Sequence, residues 1–207
     1  MFLCSDQYSD QCSSVLISVL TSVHGAFIGE RVLSNPTSNP SECGLDRPGY
    51  VCDPDRLLRP SELLQVNARL EDARKSVRMP CSNSKKAPGE IAVAIVKRAK
   101  LKSDDAESAA ASVLDRWGVG SASCDNGVAL VLSIEDRLLY IKTGPGAKER
   151  LTDSRLRSIM TSMRRSLRRG KLAKAIVNAI DQMTDELRRP SWQPSLRGGC
   201  RGRTLCE

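Results

Sequence analysis

Histidine, aromatic side chains and long apolar runs are all scarce in this 207-residue chain, and each scarcity excludes a class of function. His24 is the only imidazole, and it would leave with any signal peptide. Catalysis that needs an imidazole base is therefore closed to the mature domain. Two Trp, three Tyr and two Phe leave the core to aliphatic side chains and argue against a base-stacking surface, so no nucleic-acid partner is expected. No C-x-x-C pair occurs, which excludes a zinc ribbon or a thioredoxin-like site. No cysteine stands five residues before an arginine, and no glycine-rich phosphate fingerprint joins a strand to a helix. No run reaches the roughly 18 apolar residues of a membrane span.

What the chain does have is positive charge and cysteine. A formal net charge of +8 favours acidic partners such as lipid headgroups or an acidic protein face. Eight cysteines without a metal motif point to an oxidising, extracellular setting. Four of them, Cys43, Cys52, Cys81 and Cys124, lie in or beside the predicted domain, and the sequence leaves their three possible pairings open.

The stretch 117–144 organises the rest. Residues 128–134 are almost wholly apolar, which suits a strand covered on both faces. Glu135-Asp136-Arg137 turns the chain into a second strand over 138–141. Residues 91–96 form another apolar strand. Helices are predicted from the spacing of Leu63, Val66, Leu70, Ala73 and Val77, of Ala106, Ala110, Val113 and Trp117, of Leu156, Ile159 and Met163, and of Ile176, Ala179, Ile180 and Met183. Arg59 is a weak N-cap for the first of these. Apolar strands alternating with amphipathic helices give an α/β domain with about four helices on both faces of a small mixed sheet.

The domain is expected to span 50–189. Residues 1–29 read as a signal segment or a buried helix, residues 30–49 as a linker and residues 190–207 as a disordered basic tail.

Asp53, Asp125 and Asp153 fall at loop or helix-start positions, and three carboxylates converging there would suit calcium. The plainer reading gives them turn and helix-dipole roles. The run Arg164, Arg165, Arg168, Arg169, Lys171 and Lys174 reads first as a solvated face, and second as a patch for anionic lipid or an acidic receptor vestibule.

Cys43-Gly44, Tyr50-Val51-Cys52-Asp53-Pro54-Asp55, Arg116-Trp117-Gly118-Val119-Gly120, Asp125-Asn126-Gly127, Thr143-Gly144 and Leu151-Thr152-Asp153 together resemble a TPM domain. The Y-V-C-D-P segment is most similar to the branch containing the nematode modulator of levamisole receptor. The resemblance implies a Rossmann-like three-layer α/β/α sandwich. It also implies a non-enzymatic extracellular auxiliary protein that raises the response of levamisole-sensitive acetylcholine-gated channels and requires no cofactor. The alternative it carries is a calcium-dependent acid phosphatase. By position the metal would use Asp53 and Asp125, with Asn126 beside them and Asp153. The membrane anchor expected after the domain is replaced by polar, basic sequence, so a secreted form is expected if that end is genuine. If the loops meet as the resemblance implies, Cys52 would bridge to Cys124.

Overall fold

The computed structural model describes residues 25–81 and 85–189. A four-stranded sheet lies at its centre, in the order β3 (Val51–Cys52), β6 (Glu90–Val96), β7 (Gly127–Ser133) and β8 (Leu138–Thr143). The first three strands are parallel and β8 returns antiparallel. Around this sheet pack α1 (Pro60–Ser76), α2 (Ala106–Trp117), the short α3 (Pro145–Lys148), α4 (Asp153–Leu167) and α5 (Leu172–Arg188).

Alternation along the strands builds two different layers. Ile91, Val93 and Ile95 join Val128, Leu130 and Leu132 on one face, beneath the apolar stripes of α1, α4 and α5. The opposite face presents Ala92, Ala94, Ala129 and Val131. Those small side chains let α2 approach through its own Ala109 and Ala110, with Val113 and Trp117 beside them. Strand order advances in one direction from β3 to β6 to β7, yet α1 and α2 cover opposite faces. The two crossovers therefore have opposite hands, a departure from the usual right-handed rule.

Among the described residues the packing extends back from Tyr50 as far as Gly25. β1 (Gly25–Ile28) and β2 (Arg31–Ser34) form a hairpin that lies on α2 and buries Ala26, Ile28 and Leu33. The Trp117 indole donates to the Leu33 carbonyl at 3.3 Å, and the Asn35 amide donates to the Trp117 carbonyl at 3.1 Å. The end of the expected signal segment thus supplies β1, and the stretch expected as a linker supplies β2 and the buried Cys43. Residues 1–24, most of the expected signal segment, and the tail 190–207 lie outside the described residues. The breaker-rich stretch after α1 also holds a small hairpin, β4 (Arg78–Pro80) with β5 (Lys86–Pro88).

Local signals explain the helix ends. Arg59 has no acceptor with which to cap α1, so Glu62 turns back and accepts the Arg59 backbone N–H at 3.0 Å. Leu151 and Leu156, both buried, clamp the start of α4 across the Thr152 cap position. The β7–β8 turn is held by Asp136, which accepts the Ser133 hydroxyl at 2.6 Å and the Ala99 N–H at 2.9 Å. The Ser133 bond leads in holding the Asp136 carboxyl below the ordinary range, against burial.

Candidate functional site at the two strand ends

The parallel strands define a trailing end, where β3, β6 and β7 finish, and a leading end, where they begin. Asp53 sits at the trailing end and is fully buried. Its carboxylate accepts the Leu57 and Leu58 N–H groups at 3.0 and 2.8 Å, closing the loop into α1. Burial pushes its carboxyl above the ordinary value, and these two N–H groups only partly oppose the shift. Asp55 beside it pairs with Arg31 of β2 and accepts the Lys97 N–H at 2.6 Å. Burial raises this carboxyl too, but the Arg31 guanidinium and the Lys97 N–H carry it below its ordinary value. Both aspartates therefore fasten the trailing end.

The leading end is built from the 118–126 loop, the β8–α3 corner and the start of β6. Asn126 is fully buried and accepts the Ser121 N–H at 2.9 Å while donating to the Pro88 carbonyl at 2.8 Å. Glu90 accepts the Gly120 N–H at 2.9 Å and pairs with Arg74 of α1 at 3.0 Å. Asp125 adopts φ +44° and stays exposed, and its backbone carbonyl accepts the Gly146 N–H at 3.0 Å. A Cβ on Gly144 would stand 2.2 Å from the Asp125 carbonyl oxygen, and one on Gly146 1.9 Å from that of Cys124. Only glycine permits this approach.

Beside this corner lies a cleft of about 340 Å³ lined by Glu107, Tyr140, Lys142, Lys148, Asp153 and Arg157 among others. Glu107 pairs with Lys142, and that contact, followed by the Tyr140 hydroxyl, holds its carboxyl below the ordinary range. Burial, and then Glu107, raises the Tyr140 phenol. Asp153 opens α4 and lies 3.7 Å from Lys148. Sequence reading missed Glu90, Glu107 and Lys142, because their partners are distant in the chain; the one local hint is Glu90 immediately before an apolar strand.

Asp53 and Asp125 do not share an end. Cys52 is level with Ala94 and Val131, whereas Gly127, two residues after Asp125, is level with Glu90. Four residues of strand, about 13 Å, separate the two levels, and Asp53 and Asp125 lie beyond them on opposite sides. The expected convergence of Asp53 with Asp125 is thereby corrected, and Asp125 and Asn126 are left with Asp153 at the leading end. Among the described residues, no group of three or more His, Cys, Asp and Glu side chains stands together as a metal-ligand set.

The same geometry forbids the Cys52–Cys124 bridge. Cys52 instead pairs with Cys43, and Cys124 with Cys81, at Cα separations of 4.2 and 4.4 Å. One disulfide braces each end. They place the folded domain in an oxidising compartment. Among the described residues no helix is long and apolar enough to cross a membrane.

A family model described as the TPM domain matches residues 51–186. The chain belongs to the TPM domain family. No curated protein matches it. Among solved structures, this TPM domain is similar to the N-terminal domain of a protein from P. gingivalis, with 23% identity and a TM-score of 0.55. That match covers 74% of this chain and 87% of the other. It is also similar to the BA42 protein of Bizionia argentinensis, with 20% identity and a TM-score of 0.51, covering 63% and 81%. These likenesses establish the fold that the TPM domain shares with them. The β1–β2 hairpin and Cys43 precede the matched residues, so one partner of the Cys43–Cys52 bridge lies outside the span of the family model.

Proposed function

We propose that this TPM domain is a non-enzymatic extracellular module that acts as an auxiliary protein of acetylcholine-gated channels of the levamisole-sensitive type. The observation that carries this reading is the employment of its acidic residues. The carboxylates of Asp53 and Asp55 and the amide of Asn126 are engaged in holding loops, and Asp53 lies at the far end of the sheet from Asp125. A rigid frame braced at both ends by disulfides suits a docking module. Such a module raises an agonist response only by binding the open or agonist-bound channel better than the resting one. A tenfold preference corresponds to about 1.4 kcal/mol of coupling.

A second reading, a calcium-dependent acid phosphatase, rests on Asp125, whose carboxylate is exposed and shares the leading end with Asp153. One pair of measurements separates the two. The oxidised protein is co-expressed with levamisole-sensitive channel subunits and agonist currents are recorded, with channel pull-down in parallel. Purified protein is assayed for phosphomonoester hydrolysis with and without calcium. Enhanced currents with channel capture and no turnover support the auxiliary role. Calcium-dependent turnover that disappears in Asp125→Ala, with currents unchanged, replaces it by the phosphatase.

A further inference from the structure

The strongest unassigned feature is the corner between α4 and α5. From residue 154 to residue 180 the chain carries eight Arg and Lys side chains and no Asp or Glu. Six of the eight, Arg164, Arg165, Arg168, Arg169, Lys171 and Lys174, are exposed around this turn, and none pairs with a carboxylate among the described residues. The acids of α5 are all in its second half, where Asp181, Asp185 and Glu186 pair with Arg69, Arg188 and Arg155.

Two contacts fix where the corner sits. Arg69 faces Asp181, and Ser76 meets Arg188, so α1 and α5 run side by side in the same direction. The start of α5 is therefore level with the start of α1, at the trailing end. Two more exposed arginines stand at that end, both with left-handed backbone: Arg56 after β3 and Arg137 in the β7–β8 turn. Neither forms an ion pair among the described residues. The carboxylates of the same rim are engaged elsewhere, Asp53 with backbone N–H groups, Asp55 with Arg31 and Glu135 with Lys97.

Helix electrostatics accounts for only part of this clustering. Arginines in the last turn of α4 complement its dipole, but Lys171 and Lys174 flank the start of α5, where a cation is disfavoured. The corner accumulates like charge that the fold leaves uncompensated.

We propose that the α4–α5 corner is a docking surface for a sulfated linear polysaccharide. Four of its six cations are guanidinium groups, whose forked donors match the oxyanions of sulfate. Arg164 and Arg165 lie in the last turn of α4, Arg168 and Arg169 follow at its end, and Lys171 and Lys174 open α5, a run of exposed cations across the turn that suits a chain of regularly spaced anions. A bilayer fits less well. The exposed large apolar side chains among the described residues, Phe27, Val32 and Leu64, lie outside the corner and give it no wedge to insert. The disulfides fit an oxidising compartment, a class that includes the cell exterior where such polysaccharides occur. The proposal is independent of the channel reading and stands or falls on its own measurement.

The test uses the full oxidised chain with a heparin octasaccharide, its desulfated counterpart and phosphatidylserine-containing vesicles, at about 150 mM salt. Binding of the sulfated octasaccharide alone is expected, weakening steeply as salt rises. Arg165→Gln with Arg169→Gln should weaken it about tenfold or more, while Arg47→Gln with Lys75→Gln, of equal charge change on other faces, should leave it within about twofold. The corner variant should also unfold within a few degrees of wild type, since the lost dipole contact of Arg165 and the relieved repulsion offset each other. Equal loss in both double variants, no binding of the sulfated octasaccharide, or stronger binding to the vesicles would each overturn the proposal.

Discussion

Asn126 donates its side-chain amide to the Pro88 carbonyl at 2.8 Å, tying the turn before β7 to the hairpin before β6. The same amide oxygen accepts the Ser121 N–H, so one buried side chain closes the loop that carries Asp125. Asn126→Ala leaves both backbone groups unpaired and should cost about 2 kcal/mol or more in urea unfolding. Asn126→Asp keeps the acceptor and opposes a carboxylate to the Pro88 carbonyl, so it should fare no better. Full stability in both variants would remove Asn126 from this structural role.

Asp53 and Asp55, two residues apart, should impose opposite pH slopes. The folded-state carboxyl of Asp53 is raised by burial, so the native state keeps a proton that the unfolded chain has released. Its contribution is greatest in acid and falls as pH climbs from the unfolded value, about 3.9, through the raised one. Asp55 is lowered overall, chiefly by Arg31 against its burial, so its contribution is present above the unfolded value and is lost as pH falls through the depressed one. In urea unfolding across acid and neutral pH, the stability of wild type relative to Asp53→Asn should increase toward acid. Relative to Asp55→Asn it should decrease. A shared sign would contradict the assignment of burial to one and pairing to the other.

The two disulfides close loops of different length, with sequence separations of 9 and 43. Loop-closure entropy then assigns about 2.6 kcal/mol to Cys43–Cys52 and about 4.0 kcal/mol to Cys81–Cys124. Replacing the second pair by serine should lower stability more than replacing the first. Non-reducing peptide mapping checks the pairing directly, and a peptide joining Cys52 to Cys124 would refute it.

Gly146→Ala should disturb the Asp125 corner more than Gly118→Ala disturbs the end of α2. The first Cβ meets the Cys124 carbonyl oxygen at 1.9 Å, whereas the second meets nothing within 4 Å. Gly118 carries only the penalty of φ +63°, about 1 kcal/mol, while Gly146→Ala adds a backbone clash of about 2 kcal/mol. Equal unfolding midpoints would mean the corner relaxes freely.

Much of this fold was legible in the order of residues. The apolar runs 91–96 and 128–134 became β6 and β7, because a strand covered on both faces needs no polar alternation. The stripe of Leu63, Val66, Leu70 and Ala73 became the buried face of α1 through its 3.6-residue period. The β1–β2 hairpin was not legible. Its strands are four residues each, and Phe27 and Val32 point outward as a cross-strand pair, so no clean alternation marked a buried face. Of the candidate residues, Asp125, Asn126 and Asp153 share an end of the sheet and Asp53 does not join them.

Sequence alone settled which side chains of the long strands and helices are covered, where those helices run and which family motifs stand in order, since each depends on neighbours a few residues apart. The fold as a whole decided which thiols meet and which carboxylates share an end. Asp53 follows one parallel strand and Asp125 precedes another, and parallel strands carry those two positions to opposite ends of the sheet. That separation follows from strand direction and register, which are set by packing between segments distant along the chain.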